Sequence, residues 1–99
     1  MFEPDMRLVG EWRRNEDRPC AASYAAVLHI HPNGLYFGES EPPGGFTWWD
    51  GGTWEVVSPG RIALSTANDE VITYSYNLDD QELSFTDSSG CRFSYRRSQ

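Results

Sequence analysis

Apolar and polar residues alternate along this chain in short runs, and each run is broken by glycine, proline, asparagine or aspartate. Strict alternation places successive side chains on opposite faces of a strand, so the period of two predicts β-structure throughout. The predicted strands are Arg7–Arg14, Ser23–His31, Leu35–Ser40, Arg61–Thr66, Glu70–Leu78, Glu82–Asp87 and Cys91–Arg97. Phe46–Val57 reads either as two short strands, Phe46–Asp50 and Thr53–Val57, around a Gly51-Gly52 turn, or as one bent strand. Ala26, Leu28 and Ile30 share one face, as do Ile62 with Leu64 and Leu83 with Phe85. The same holds for Ile72, Tyr74, Tyr76 and Leu78, and for Phe93 with Tyr95. Pro32-Asn33-Gly34 is the strongest hairpin signal, because Asn-Gly accepts the positive φ of a tight turn. Glu41-Pro42-Pro43-Gly44-Gly45 is a loop, since proline cannot donate within a sheet ladder. No run has a sustained helical period.

About eight strands joined by tight turns form an antiparallel up-and-down meander. Left open, such a meander has two unprotected edges, and neither terminal strand is short or capped by proline. Closure pairs the first strand with the last and removes both edges. The predicted fold is therefore all-β: a single domain spanning residues 1–99, with 1–6 as a short lead-in to a small closed barrel. An eight-stranded barrel is either filled by side chains or holds one small ligand.

Aromatic residues make up 14% of the 99 residues, enough for rings to supply much of so small a core. Fifteen acidic and eight basic residues give a net charge of -7, with no basic stripe of the kind nucleic acid requires. No run approaches the ~20 apolar residues of a membrane-spanning helix. All eight basic residues are arginines. Arg13-Arg14 and Arg96-Arg97 would adjoin across a closed barrel as a local positive patch. Residues Met1–Leu8 hold Glu3, Pro4 and Asp5 where a secretory signal has its apolar stretch, so the expected location is cytoplasmic. Cys20 and Cys91 are too few for a disulfide scaffold, and two reduced thiols are expected. The alternative, a bridge from the second strand to the last, depends on where their Cα atoms lie.

Leu8-Val9-Gly10-Glu11-Trp12 near the start and Phe93-Ser94-Tyr95-Arg96 near the end resemble the calycins, most nearly the short bacterial lipocalin-like domains. The resemblance implies that Gly10 bends the entry to the first strand and that Trp12 covers the barrel floor. It further implies that Arg96, or else Arg92, lies across the Trp12 indole as a cation–π pair, a structural role. Small β-barrel inhibitors of bacterial metalloproteases share the Gly-x-Trp opening and inhibit through an N-terminal arm, here only Met1 to Met6.

Candidate sites centre on Phe46-Thr47-Trp48-Trp49-Asp50, the densest aromatic stretch. Neighbouring tryptophans in a strand face opposite ways, so one of Trp48 and Trp49 should face out or toward the barrel mouth. Tyr36, Phe37 and Trp54 are the further candidates for a ligand-binding or interaction rim. His29 and His31 have an i, i+2 spacing usable by a metal, but no third histidine exists and the alternation turns both outward. No nucleophile elbow or phosphate loop is present, and the paired acids Asp69-Glu70 and Asp79-Asp80 fall in turns, where solvation is the expected role. The inventory thus predicts a non-enzymatic protein without cofactor or metal. Two readings follow. One is a barrel binding a small hydrophobic or aromatic ligand inside or at its mouth, in a cavity of roughly 300 Å³ or more. The other is a protein-interaction module of inhibitor or immunity type, meeting a partner or a second copy through the Phe46–Asp50 aromatic loop and an acidic surface.

Overall fold

The computed structural model describes residues 6–15, 19–40, 44 and 47–98. It is an all-β meander of eight antiparallel strands closed into a barrel. The strands are β1 (Gly10–Arg14), β2 (Val27–Ile30), β3 (Leu35–Glu39), β4 (Gly51–Ser58), β5 (Arg61–Ser65), β6 (Val71–Asp79), β7 (Glu82–Thr86) and β8 (Arg92–Arg97). Closure comes from β1 against β8, with Trp12 opposite Arg97, Arg13 opposite Arg96 and Arg14 opposite Tyr95. The faces assigned from alternation are the faces observed: Leu28, Ile30, Ile62, Leu64, Leu83, Phe85, Phe93 and Tyr95 are all buried.

Three boundaries differ from expectation, each because tertiary contacts override the alternating pattern. Met6–Leu8 is a 3₁₀ turn, so β1 starts at Gly10, whose φ of 140° suits glycine. Pro19–Ala21 is a second 3₁₀ turn, and β2 starts only at Val27. Gly51-Gly52 is no hairpin turn. It opens β4, with Gly51 opposite Phe37 and Gly52 opposite Tyr36, while Trp48 and Trp49 lie in a turn before the strand. Phe46 falls outside the described residues.

A floor closes the end where the chain enters. Trp12 is fully buried there and its Nε1 donates to the Leu8 carbonyl at 2.9 Å. The cation over its ring is Arg97, with Cζ 4.2 Å from the centroid, and neither Arg96 nor Arg92. Register explains the correction. Directly paired residues share a face, so Arg97 turns inward with Trp12, while Arg96 turns outward with Arg13 and is exposed. Arg97 also donates to the carbonyls of Val9, at 3.0 Å, and Arg7, at 2.6 Å, tying the entry turn to the last strand. Arg14 likewise faces in, donating to the carbonyls of Ala21 and Tyr24 at 2.9 and 2.8 Å. Half of the expected arginine patch therefore serves the backbone.

Cys20 and Cys91 form a disulfide with Cα atoms 5.9 Å apart, in place of the expected free thiols. The sequence leaves this alternative open because the cysteines stand 71 residues apart and meet only once the barrel closes. A cross-link over so long a loop restricts the unfolded chain by about 4 kcal/mol in the chain-entropy account, and 2–4 kcal/mol is typical. Reduction, or the C20S/C91S double substitution, should lower stability by about 2–4 kcal/mol in urea denaturation. Coincident curves for oxidised and reduced protein would show that the bridge carries no such constraint.

Candidate functional site

At the end opposite the floor, the β1–β2, β3–β4, β5–β6 and β7–β8 connections surround the barrel mouth. Tyr24 belongs to the first of these, Trp48 and Trp49 to the second. Trp49 turns back into the barrel and is fully buried. Its ring lies 4.9 Å from Tyr24 and Phe85, 5.2 Å from Tyr74 and 5.4 Å from Phe93. The interior site anticipated for a ligand is thus taken by a side chain of the protein itself.

Glycine makes the insertion possible. A Cβ on Gly38 would lie 1.8 Å from the Trp49 carbonyl oxygen and 2.8 Å from the Ala25 Cβ, so the plug segment lies directly on the β3 backbone. Backbone hydrogen bonds hold the segment from either side: Trp48 N–H donates to Ser23 at 2.8 Å, and Ala67 N–H donates to Trp48 at 2.9 Å.

The indole N–H of Trp49 donates to the Tyr74 hydroxyl at 3.2 Å, and that hydroxyl adjoins the hydroxyl of Tyr24. Tyr24 in turn donates to Asp87 Oδ2 at 2.9 Å. The other carboxylate oxygen accepts from the Ser89 amide and hydroxyl, both at 3.0 Å, and from the Cys91 amide at 2.9 Å. A polar relay therefore runs from the buried plug to the β7–β8 turn, beside the disulfide. Burial, followed by the neighbouring tyrosine, pushes the Tyr24 hydroxyl far above its ordinary range, and burial also raises Tyr74. Burial works against the Asp87 charge as well, but the Cys91, Tyr24 and Ser89 hydrogen bonds outweigh it and hold its pKa below the usual carboxylate value.

Above this relay lies an open cleft of about 260 Å³. Tyr24, Trp48, Ile72 and Tyr74 form its apolar walls. Thr66 and Asn68 of the β5–β6 turn, with Asp87, Ser88 and Ser89 of the β7–β8 turn, form its polar rim. Thr66 Oγ1 donates to Asn68 Oδ1 at 2.5 Å, which fixes that side of the rim.

The five aromatic residues anticipated for one rim occupy four places. Trp48, 37% exposed, belongs to the mouth, and Trp49 is the plug. Tyr36 and Trp54 are core residues whose polar atoms meet backbone: Tyr36 donates to the Ser65 carbonyl, and Trp54 Nε1 donates to His31 at 2.8 Å. Phe37, 51% exposed, stands on the outer face of β3, 5.8 Å from the His29 ring. His29 sits between Glu11, at 3.5 Å, and Glu39, at 2.7 Å, and no His, Cys, Asp and Glu cluster among the described residues has a metal-binding arrangement. Tyr24, Tyr74 and Asp87 were not found by sequence reasoning. Tyr74 reads as ordinary core and Asp87-Ser88-Ser89-Gly90 as an ordinary turn. The available signal was chemical, since a buried tyrosine hydroxyl requires a partner.

Gly38→Ala should destabilise the fold by about 1–3 kcal/mol, the usual result of overpacking, and should speed hydrogen exchange at the Trp49 indole. Wild-type urea midpoints and exchange rates in that variant would contradict the seating of the plug on β3. Asp87 supplies a pH test. Its pKa is lower folded than unfolded, so its stabilising contribution is complete above the unfolded carboxylate value of about 3.9 and is lost as pH falls through the native one. Asp87→Asn should therefore flatten the acid limb of a stability–pH profile. An unchanged limb would refute the assignment.

No protein-family model, curated protein or solved structure matches this chain.

Proposed function

We propose that this chain is a non-enzymatic, lipocalin-like β-barrel that binds a small aromatic or hydrophobic ligand at the barrel mouth. The observation that carries this reading is the mouth cleft itself, with Trp48 partly exposed beside Tyr24, Tyr74 and Ile72 above a filled interior. Its volume of about 260 Å³ lies just under the ~300 Å³ of the smallest drug-sized pockets, which favours a ligand of one or two rings. The bend at Gly10 and the Arg97 cation over Trp12 support the lipocalin-like reading, because they supply the floor that the resemblance implies.

Binding is favoured over turnover by the state of the cleft's titratable groups. Tyr24 and Tyr74 are held protonated and Asp87 ionised, each moved away from neutrality, whereas an acid–base catalyst works best near the operating pH. The disulfide favours an oxidising compartment over the cytoplasm as the place of work. A protein-interaction module remains the second reading, favoured by the exposed Phe37 and Trp48 rings on a chain of net charge -7.

Native mass spectrometry of gently purified protein should reveal a small non-covalent mass that is lost on unfolding. Trp48→Ala should weaken binding of that ligand about 3- to 10-fold, the scale of one aromatic contact, with little change in stability. A bare chain that also fails to bind any of a panel of one- and two-ring compounds would defeat the ligand-binding reading. In that event, loss of a co-purifying protein on Trp48→Ala would favour the interaction module.

A further inference from the structure

We propose that the mouth cleft selects a cationic ligand, a small amine carried on an aromatic or aliphatic body, an inference that rests on the mouth being the ligand site. Of the residues lining the cleft only Asp87 carries a formal charge, and none is basic. Arg92, opposite Thr86 at the base of the β7–β8 turn, is exposed and does not line the cleft, and the four arginines of the β1–β8 seam are committed elsewhere. Arg14 and Arg97 donate to backbone carbonyls, while Arg13 and Arg96 face the outside of the β1–β8 seam.

The carboxylate is presented asymmetrically. Oδ1 accepts three hydrogen bonds from its own turn, whereas Oδ2 accepts one, from Tyr24. The oxygen with unused acceptor capacity is thus the one bonded to a cleft-wall residue. An ammonium group placed there would meet Oδ2, with the seryl hydroxyls of the rim as further acceptors. The ligand's body would lie against the cleft walls beside Trp48 and Tyr24, and an indole face such as that of Trp48 also attracts a cation. A ligand carboxylate in the same place would face Asp87 without a counter-charge and would lose its hydration uncompensated. The net charge of -7 acts in the same direction at long range, concentrating cations around the molecule.

Three probes of one shape separate charge from fit: phenethylamine, 2-phenylethanol and 3-phenylpropionate, each titrated into the intact oxidised chain and followed by amide and indole NMR shifts. Phenethylamine should bind about 10-fold more tightly than 3-phenylpropionate, with the alcohol between them, and its affinity alone should fall as salt rises from about 20 to about 300 mM. Shifts should centre on the Trp48 indole and the Ser88 and Ser89 amides. Asp87→Asn keeps the shape of the side chain and should reduce the preference to below about 3-fold. Equal affinities, a preference for the acid, or amine binding indifferent to salt would overturn the selection of a cation while leaving the mouth as the site. Shifts confined to other regions, or none with any probe, would overturn both. The salt series needs only wild-type protein, so the inference stays open to refutation even if Asp87→Asn fails to fold.

Discussion

Trp49 is the side chain on which the arrangement of this barrel depends. A closed eight-stranded sheet has an interior that side chains or a ligand must occupy, and strands as short as four residues in β2 and five in β3 bring few large side chains to the mouth end. The chain meets that need by folding the β3–β4 connection inward, so that one indole touches rings from β6, β7, β8 and the β1–β2 connection. The surrounding features follow from that insertion. Gly38 is small because the plug backbone rests on it. Tyr74 is placed to satisfy a buried indole N–H, which would otherwise lose its hydrogen bond on leaving water. The β1–β2 connection is drawn over the top by Tyr24 stacking on Phe93 at 4.4 Å, by Arg14 and by the disulfide.

The two ends of the barrel solve the same packing problem with different chemistry. At the floor, a cation and a carbonyl hold Trp12, and Arg97 joins the first and last strands, which locks the seam that closes the sheet. At the mouth, neutral aromatic contacts hold Trp49, and the only ionised group in the relay is Asp87 at its solvent end. A basic, hydrogen-bonded floor is closed on itself. The mouth instead ends in an aromatic wall with acceptors around it, and this difference makes it the place to look for a ligand. The filled interior leaves no room for a ligand inside the barrel, so the proposed site is the mouth cleft alone.

Much of the fold was legible. Alternation assigned the inward faces of β2, β5, β7 and β8 correctly, because an inward side chain in a narrow barrel has no other place to go. The cost of exposed edges pointed to closure, whereas Trp48 and Trp49 part outward and inward from a turn and not by the strand alternation expected of them. Less was legible at the site. Of the anticipated ligand residues only Trp48 lines the mouth cleft, since Tyr36 and Trp54 satisfy their polar atoms on backbone that is distant in sequence. The cation on Trp12 was one residue out, because alternation fixes faces within a strand but leaves the register between the first and last strands open.

By itself the sequence determined the class of structure: strands from the period of two, turns from glycine, proline and asparagine, and a closed sheet from the cost of open edges. These are local or compositional properties, which neighbouring residues in the chain settle among themselves. Tertiary structure alone decided that Arg97 meets Trp12, that Cys20 meets Cys91, and that Trp49 fills the axis. It also alone brought Tyr24, Tyr74 and Asp87 into one relay. Each of those contacts joins residues far apart along the chain, and their meeting depends on the register and closure of the whole barrel, which no local pattern encodes.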